Sequence, residues 1–89
     1  MNSSGSWNLR IDSDVLKALQ RIPRRDAGVL LEAIRLLPAN PYFGDLQKMS
    51  GDDHVWRRRI GSYRIFYKLM AAGRIILVFR LERRTSKTY

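Results

Sequence analysis

The residues of this chain that can do chemistry concentrate in one stretch, Val55 to Tyr67, which reads V-W-R-R-R-I-G-S-Y-R-I-F-Y. Two alternating segments flank Gly61-Ser62, and a glycine at the first central position suits a two-residue hairpin loop of the primed type. That loop predicts the pairs Ile60 with Tyr63, Arg59 with Arg64, Arg58 with Ile65, Arg57 with Phe66 and Trp56 with Tyr67. Because strand side chains alternate, one face carries Trp56, Ile60, Tyr63, Ile65, Tyr67 and Leu69, with Arg58 as the odd member. The other carries Arg57, Arg59, Arg64 and Phe66. Like charges opposite one another weaken a strand pair, so Arg59 beside Arg64 is unfavourable unless an anion sits there. Arginine's planar fork matches phosphate oxygens, and a ring among arginines can stack a base. These residues are a candidate phosphate and base site, weighed against a plainer reading as a solvated basic sheet face.

The bulk properties agree with an anionic partner. The chain has 89 residues, enough for one domain with an adequate core, and carries 17 Lys and Arg against 8 Asp and Glu, a net charge of +9. Such a balance points to nucleic acid, an anionic membrane or an acidic protein. With no cysteine and one histidine, disulfides and thiolate sites are excluded, and neither a metal nor a cofactor is expected. No run approaches the roughly 18 apolar residues of a membrane span, so a cytoplasmic protein is the default. Residues 1–6 are small and polar and read as a flexible N-terminus preceding a single domain over 7–89.

The elements that must position the hairpin follow from periodicity. Trp7 to Ile11 alternates and predicts a short strand. Ser13 is the expected N-cap of a first helix, whose stripe is Val15, Leu16, Leu19 and Ile22 and which ends before Pro23. Pro23 opens a second helix, with Ala27, Leu30, Leu31, Ile34 and Leu37 at helical spacing, that stops at Pro38. The two helices form an antiparallel hairpin packed on the core face of the sheet. Pro38 to Asp53 reads as a long connection, anchored by Leu46 and Met49, in which Lys48 reads either as a solvated loop lysine or as an ammonium pointed towards the arginine face. His54 reads as structural or capping. After the hairpin, Ala71 to Gly73 turn the chain, and Arg74 to Leu81 is apolar enough for a strand buried on both faces. The order β-α-α-β-β-β predicts an α+β fold, two helices on one face of a small, mainly antiparallel sheet.

The residues Asn40-Pro41 after the second helix, L-x-K-M over Leu46 to Met49, W-R-x-R-x-G-x-Y-R-x-x-Y over Trp56 to Tyr67, and a basic pair with a tyrosine near the C-terminus resemble the RelE/ParE toxin superfamily. The resemblance covers Trp7 to Tyr89. Its RelE-like branch implies a toxin of a type II toxin-antitoxin system, an endoribonuclease that cleaves messenger RNA in the ribosomal A site and is silenced by a cognate antitoxin. It further implies catalytic roles for Arg57, Arg59, Arg64, Arg83 and Tyr89, with Arg84 the alternative to Arg83. RNA contacts are expected from Lys48, Arg57, Arg59, Phe66 and Arg84. The implied chemistry is attack of a ribose 2′-OH on the adjacent phosphate without a metal, arginines stabilising the charge that develops at phosphorus. Arginine is a poor base, so either Tyr89 accepts the proton, if nearby cations favour its phenolate, or ribosomal groups orient the substrate and the toxin adds mainly charge.

Two rival readings remain open. The superfamily also contains ParE-like proteins that inhibit DNA gyrase by binding and do no chemistry, and an inactive RNA-binding relative would share the hairpin. Arg57, Arg59 and Arg64 on one face, with Arg83 and Tyr89, favour the nuclease. The expected partners are an antitoxin, the ribosome and messenger RNA, with oligomers forming through the antitoxin complex.

Overall fold

The computed structural model describes residues 7–42, 44–49, 51 and 54–83. Within them the chain runs β1 (Asn8–Ile11), α1 (Ser13–Arg21), α2 (Arg24–Leu36), β2 (Asp45–Lys48), β3 (Val55–Ile60), β4 (Tyr63–Met70) and β5 (Ile75–Arg83). The strands form one sheet in the order β1-β5-β4-β3-β2. Strand β1 lies parallel to β5 and every other neighbouring pair is antiparallel. This is the α+β class expected from the periodicity.

One core holds the two layers together. Val15 and Leu19 of α1, with Leu30, Ile34 and Leu37 of the α2 region, pack against Tyr63, Ile65, Tyr67, Leu69, Ile76 and Val78 of the sheet. The helical stripes are narrower than their apolar residues suggested, since Leu16 and Leu31 are exposed. Helix α1 is capped by Asp12 rather than Ser13, the Asp12 carboxylate accepting the Asp14 N–H at 3.1 Å. The reason lies in the sheet: the Asp12 N–H still donates to the Val78 carbonyl, so the backbone is extended there and turns helical one residue earlier than expected. Pro23 is the residue before α2, where its missing N–H leaves nothing unsatisfied.

The segment expected to be only a connection contributes β2, which pairs with β3 at the sheet edge. Its approach is tied down by side chains. The Tyr67 hydroxyl donates to the Pro41 carbonyl. The Asn40 side chain accepts the Tyr42 N–H at 3.1 Å, and the Tyr42 ring meets Trp56 edge-on at 5.6 Å. Arg58, the odd member of the core face, is only 9% exposed and has its guanidinium group against Gly44 of this connection. Gly44 permits that approach: its φ is +97°, and a Cβ there would lie 2.7 Å from Arg58 Nε.

Strand β5 departs from expectation in two ways. It runs on to Arg83, and it is fully buried only on the helix side, where Ile76 and Val78 sit; Ile75, Leu77 and Phe79 are half-buried. Among the described residues no element covers the second face of the sheet. A bulge between Phe66 and Tyr67 of β4 breaks the register with β5: Tyr67 pairs with Val78 but Phe66 pairs with Arg80, leaving Phe79 as the surplus residue. From Arg80 onward, every side chain therefore faces the opposite way from a regular strand.

Candidate functional site

The β3–β4 hairpin has the register its turn predicts. Ile60 faces Tyr63, Arg59 faces Arg64, Arg58 faces Ile65, Arg57 faces Phe66 and Trp56 faces Tyr67. Gly61 has φ +57° and Ser62 is not left-handed, the pattern of a type II′ turn. Arg57, Arg59 and Arg64 thus share the uncovered face, and Arg57 donates to the Gln47 amide oxygen from β2. Arg64 is held between Arg59 on one side and Glu82 on the other. Its Nε is shut off from solvent and has no hydrogen-bond acceptor among the described residues.

The bulge decides which residues of β5 join them. Arg80 comes to the uncovered face, its guanidinium 5.5 Å from the centre of the Phe66 ring. Glu82 arrives opposite Arg64 and forms an ion pair with Arg80. Phe79 packs its ring 6.4 Å from that of Phe66. Arg83, expected with the hairpin arginines, instead pairs with Tyr63, and its guanidinium lies 5.7 Å from that ring on the helix side of the sheet. Had the same residues, Phe79 included, alternated regularly along β5, Arg83 would have faced the arginines.

Two further expectations are corrected by register and burial. Lys48 pairs with Trp56 and so faces the helix side, while Gln47 takes the position beside Arg57. Phe66 is on the expected face but is only 9% exposed, covered by Arg80 and Phe79 rather than open to stack a base. Tyr89 and Arg84 lie outside the described residues. Arg80, Glu82, Phe79 and Gln47 were missed by the sequence reading. No sequence signal marks the bulge: Ile75 to Phe79 are all apolar, and the inward set Ile76, Val78 and Leu81, with its spacing of three, emerges only in the assembled sheet.

The face now holds the guanidinium groups of Arg57, Arg59, Arg64 and Arg80 with the carboxylate of Glu82. Such a set can bind a phosphodiester and stabilise added negative charge on it, and the carboxylate can accept a proton. The buried tyrosines cannot share that task. Burial pushes the Tyr67 phenol up to about 12, against the opposing pull of Arg58. Tyr63 is raised first by burial and then by the hydrogen bond of 2.9 Å it donates to Asp26, with Arg83 acting in the other direction. Both hold their protons at neutral pH and serve the fold.

Fold and face together define a small basic α+β protein that presents an arginine-rich sheet surface. The family described as the ParE toxin of type II toxin-antitoxin system, parDE, matches residues 7–87, and the chain belongs to that family, within the RelE/ParE superfamily. It is a RelE-like toxin of a type II toxin-antitoxin system. The toxin RelE1 of Methanocaldococcus jannaschii is 33% identical over 81 residues, spanning 88% of this chain and 90% of that one. The RelE of the RelE–RelB complex from Pyrococcus horikoshii OT3 superposes with a TM-score of 0.78 at 27% identity, covering 89% of this chain and 96% of that chain. The isolated E. coli RelE toxin gives a TM-score of 0.78 at 14% identity, covering 92% of this chain and 88% of its own. At that identity the likeness is one of fold.

Proposed function

We propose that this toxin is an endoribonuclease that cleaves messenger RNA in the ribosomal A site and so arrests translation. The observation that carries the reading is the set Arg57, Arg59, Arg64 and Arg80 on a sheet face that no described element covers. The ribose 2′-OH attacks the adjacent phosphate, and fixed guanidinium groups stabilise the extra charge on the phosphorane better than they stabilise the substrate. Arg64, flanked on both sides and partly shielded, is the central contact. A protein with so few groups depends on the ribosome to align the 2′-OH with the scissile bond, which places its action in the cytoplasm. In type II systems a cognate antitoxin completes the picture, and the solved RelE–RelB complexes support such a partner here. It would silence the toxin by laying acidic residues over the arginine face or by displacing the segment that carries Tyr89.

A second reading has its own support, since the matching family is described by its ParE members: a protein that binds DNA gyrase and does no chemistry. Primer extension on messenger RNA, with and without translating ribosomes, separates the two. The expected result is new RNA ends that require ribosomes and fall about 100-fold or more with Arg64→Ala, the usual cost of losing one fixed transition-state donor. No new ends from a folded chain that still blocks growth, together with lost gyrase supercoiling, would establish the ParE-like reading instead.

A further inference from the structure

An arginine site leaves the cleavage reaction short of a proton acceptor, because guanidinium stays protonated in water. The face itself contains one. Glu82 stands directly opposite Arg64 across the β4–β5 pair and is ion-paired with Arg80 two residues before it. Its side chain is 32% exposed, so it is reachable from the face rather than sealed beneath it. The charged groups about it are Arg80 on its own strand, Arg64 on β4 and, beyond Arg64, Arg59 on β3, with Lys68 farther along β4. Purely as a counter-ion for an anion-binding face, a carboxylate is misplaced: it cancels part of the charge and repels the phosphate it would adjoin. As a base it is well placed, because the arginines that hold the phosphate also fix the carboxylate beside it.

We infer that Glu82 is the general base of the cleavage step, an inference that rests on the nuclease reading above. Its carboxylate takes the proton from the 2′-OH as the 2′-oxygen forms its bond to phosphorus. The bond from phosphorus to the 5′-oxygen breaks, and that oxygen leaves with its electron pair and takes a proton from water. Glu82 then returns its proton to solvent, so the products are a 2′,3′-cyclic phosphate and a 5′-hydroxyl, with no other reactant consumed. Arg80 is a positioning residue in this scheme, orienting the carboxylate through the ion pair.

The test is single-turnover cleavage of ribosome-bound messenger RNA across a pH series, using the unaltered chain, Glu82→Gln, Glu82→Asp, Arg80→Gln and Tyr89→Phe, each checked by circular dichroism for folding. Glu82→Gln should lower the cleavage rate about 100-fold or more, the usual size of general-base catalysis, while binding to the ribosomal complex is no weaker, since a charge that repels the phosphate has been removed. It should also abolish the acid limb of the rate profile, while Glu82→Asp keeps the limb at a reduced rate. Arg80→Gln should weaken cleavage yet retain the limb; a carboxylate that merely neutralised Arg80 would give no limb to retain. Cleavage by Glu82→Gln at the unaltered rate, or an acid limb that disappears with Tyr89→Phe and survives Glu82→Gln, overturns the assignment while leaving the nuclease reading intact. No cleavage by the unaltered chain in any condition overturns both.

Discussion

At the scale of single residues, the two buried tyrosines show how the fold uses groups that resemble catalysts. Tyr67 is wholly buried, donates to the Pro41 carbonyl and so links β4 to the chain leading into β2. Its phenol is pushed up to about 12 by burial, whereas an unfolded tyrosine titrates near 10. The folded state therefore holds the proton more tightly than the unfolded state does. That stabilisation is fully present below about pH 10 and is lost as the pH rises from about 10 through about 12. Urea midpoints followed by circular dichroism should be flat with respect to this group up to about pH 10 and then fall. Tyr67→Phe should remove that part of the alkaline fall and cost about 1–3 kcal/mol at neutral pH, because the Pro41 carbonyl is left without its donor.

The decisive element is β5, and within it the bulge at Phe79. Parallel pairing with β1 ends at Val78, so the surplus residue follows immediately where β5 has lost that neighbour. Its effect is to keep Leu81 against the core while turning Arg80 and Glu82 to the uncovered face and Arg83 to Tyr63. Deleting Phe79 should convert the bulge into a regular pair without changing those facings, since Val78 would be followed directly by Arg80. The expected variant folds, keeps Arg83 over Tyr63 and loses about 0.5–1.5 kcal/mol from the missing contact with Phe66. A melting curve followed by circular dichroism gives the stability, and chemical shifts of the Tyr63 ring report the position of Arg83. An unfolded variant would mean that the bulge is needed for the sheet itself.

At the scale of the whole molecule, the net charge of +9 is distributed unevenly in kind. The uncovered face mixes arginines at the hairpin end with Ile75, Leu77 and Met70 towards the far end. The helix side exposes Val29, Leu36 and Tyr42, apolar surface suited to a protein partner. Among the described residues no helix is long and apolar enough to cross a membrane. If the arginines of the face contact phosphates, each releases counterions on binding single-stranded RNA. Four contacts then give a slope of about −3 in log affinity against log salt. Arg59→Ala should reduce the magnitude of that slope by about 0.7, measured by fluorescence anisotropy on a short single-stranded RNA. Arg74→Ala, at the turn where the guanidinium lies 5.3 Å from the Trp7 ring, should leave it unchanged.

How far the sequence alone reaches depends on whether the information is local. The hairpin was legible because Gly61-Ser62 dictates a turn, the turn dictates the register, and alternation then assigns Arg57, Arg59 and Arg64 to one face without reference to the rest of the chain. The helices were legible from their periodicity and from Pro23 and Pro38. Strand β2 was not, since four residues carry too little pattern and form a strand only because β3 offers an edge. Nor was the direction of Lys48, which follows from that same pairing. Arg83 shows the limit most clearly. Its facing depends on one surplus residue in β5 and on the β4 strand against which that residue is surplus. A strand read alone has no register, so only the assembled sheet decided that Arg80 and Glu82, and not Arg83, would stand beside Arg64.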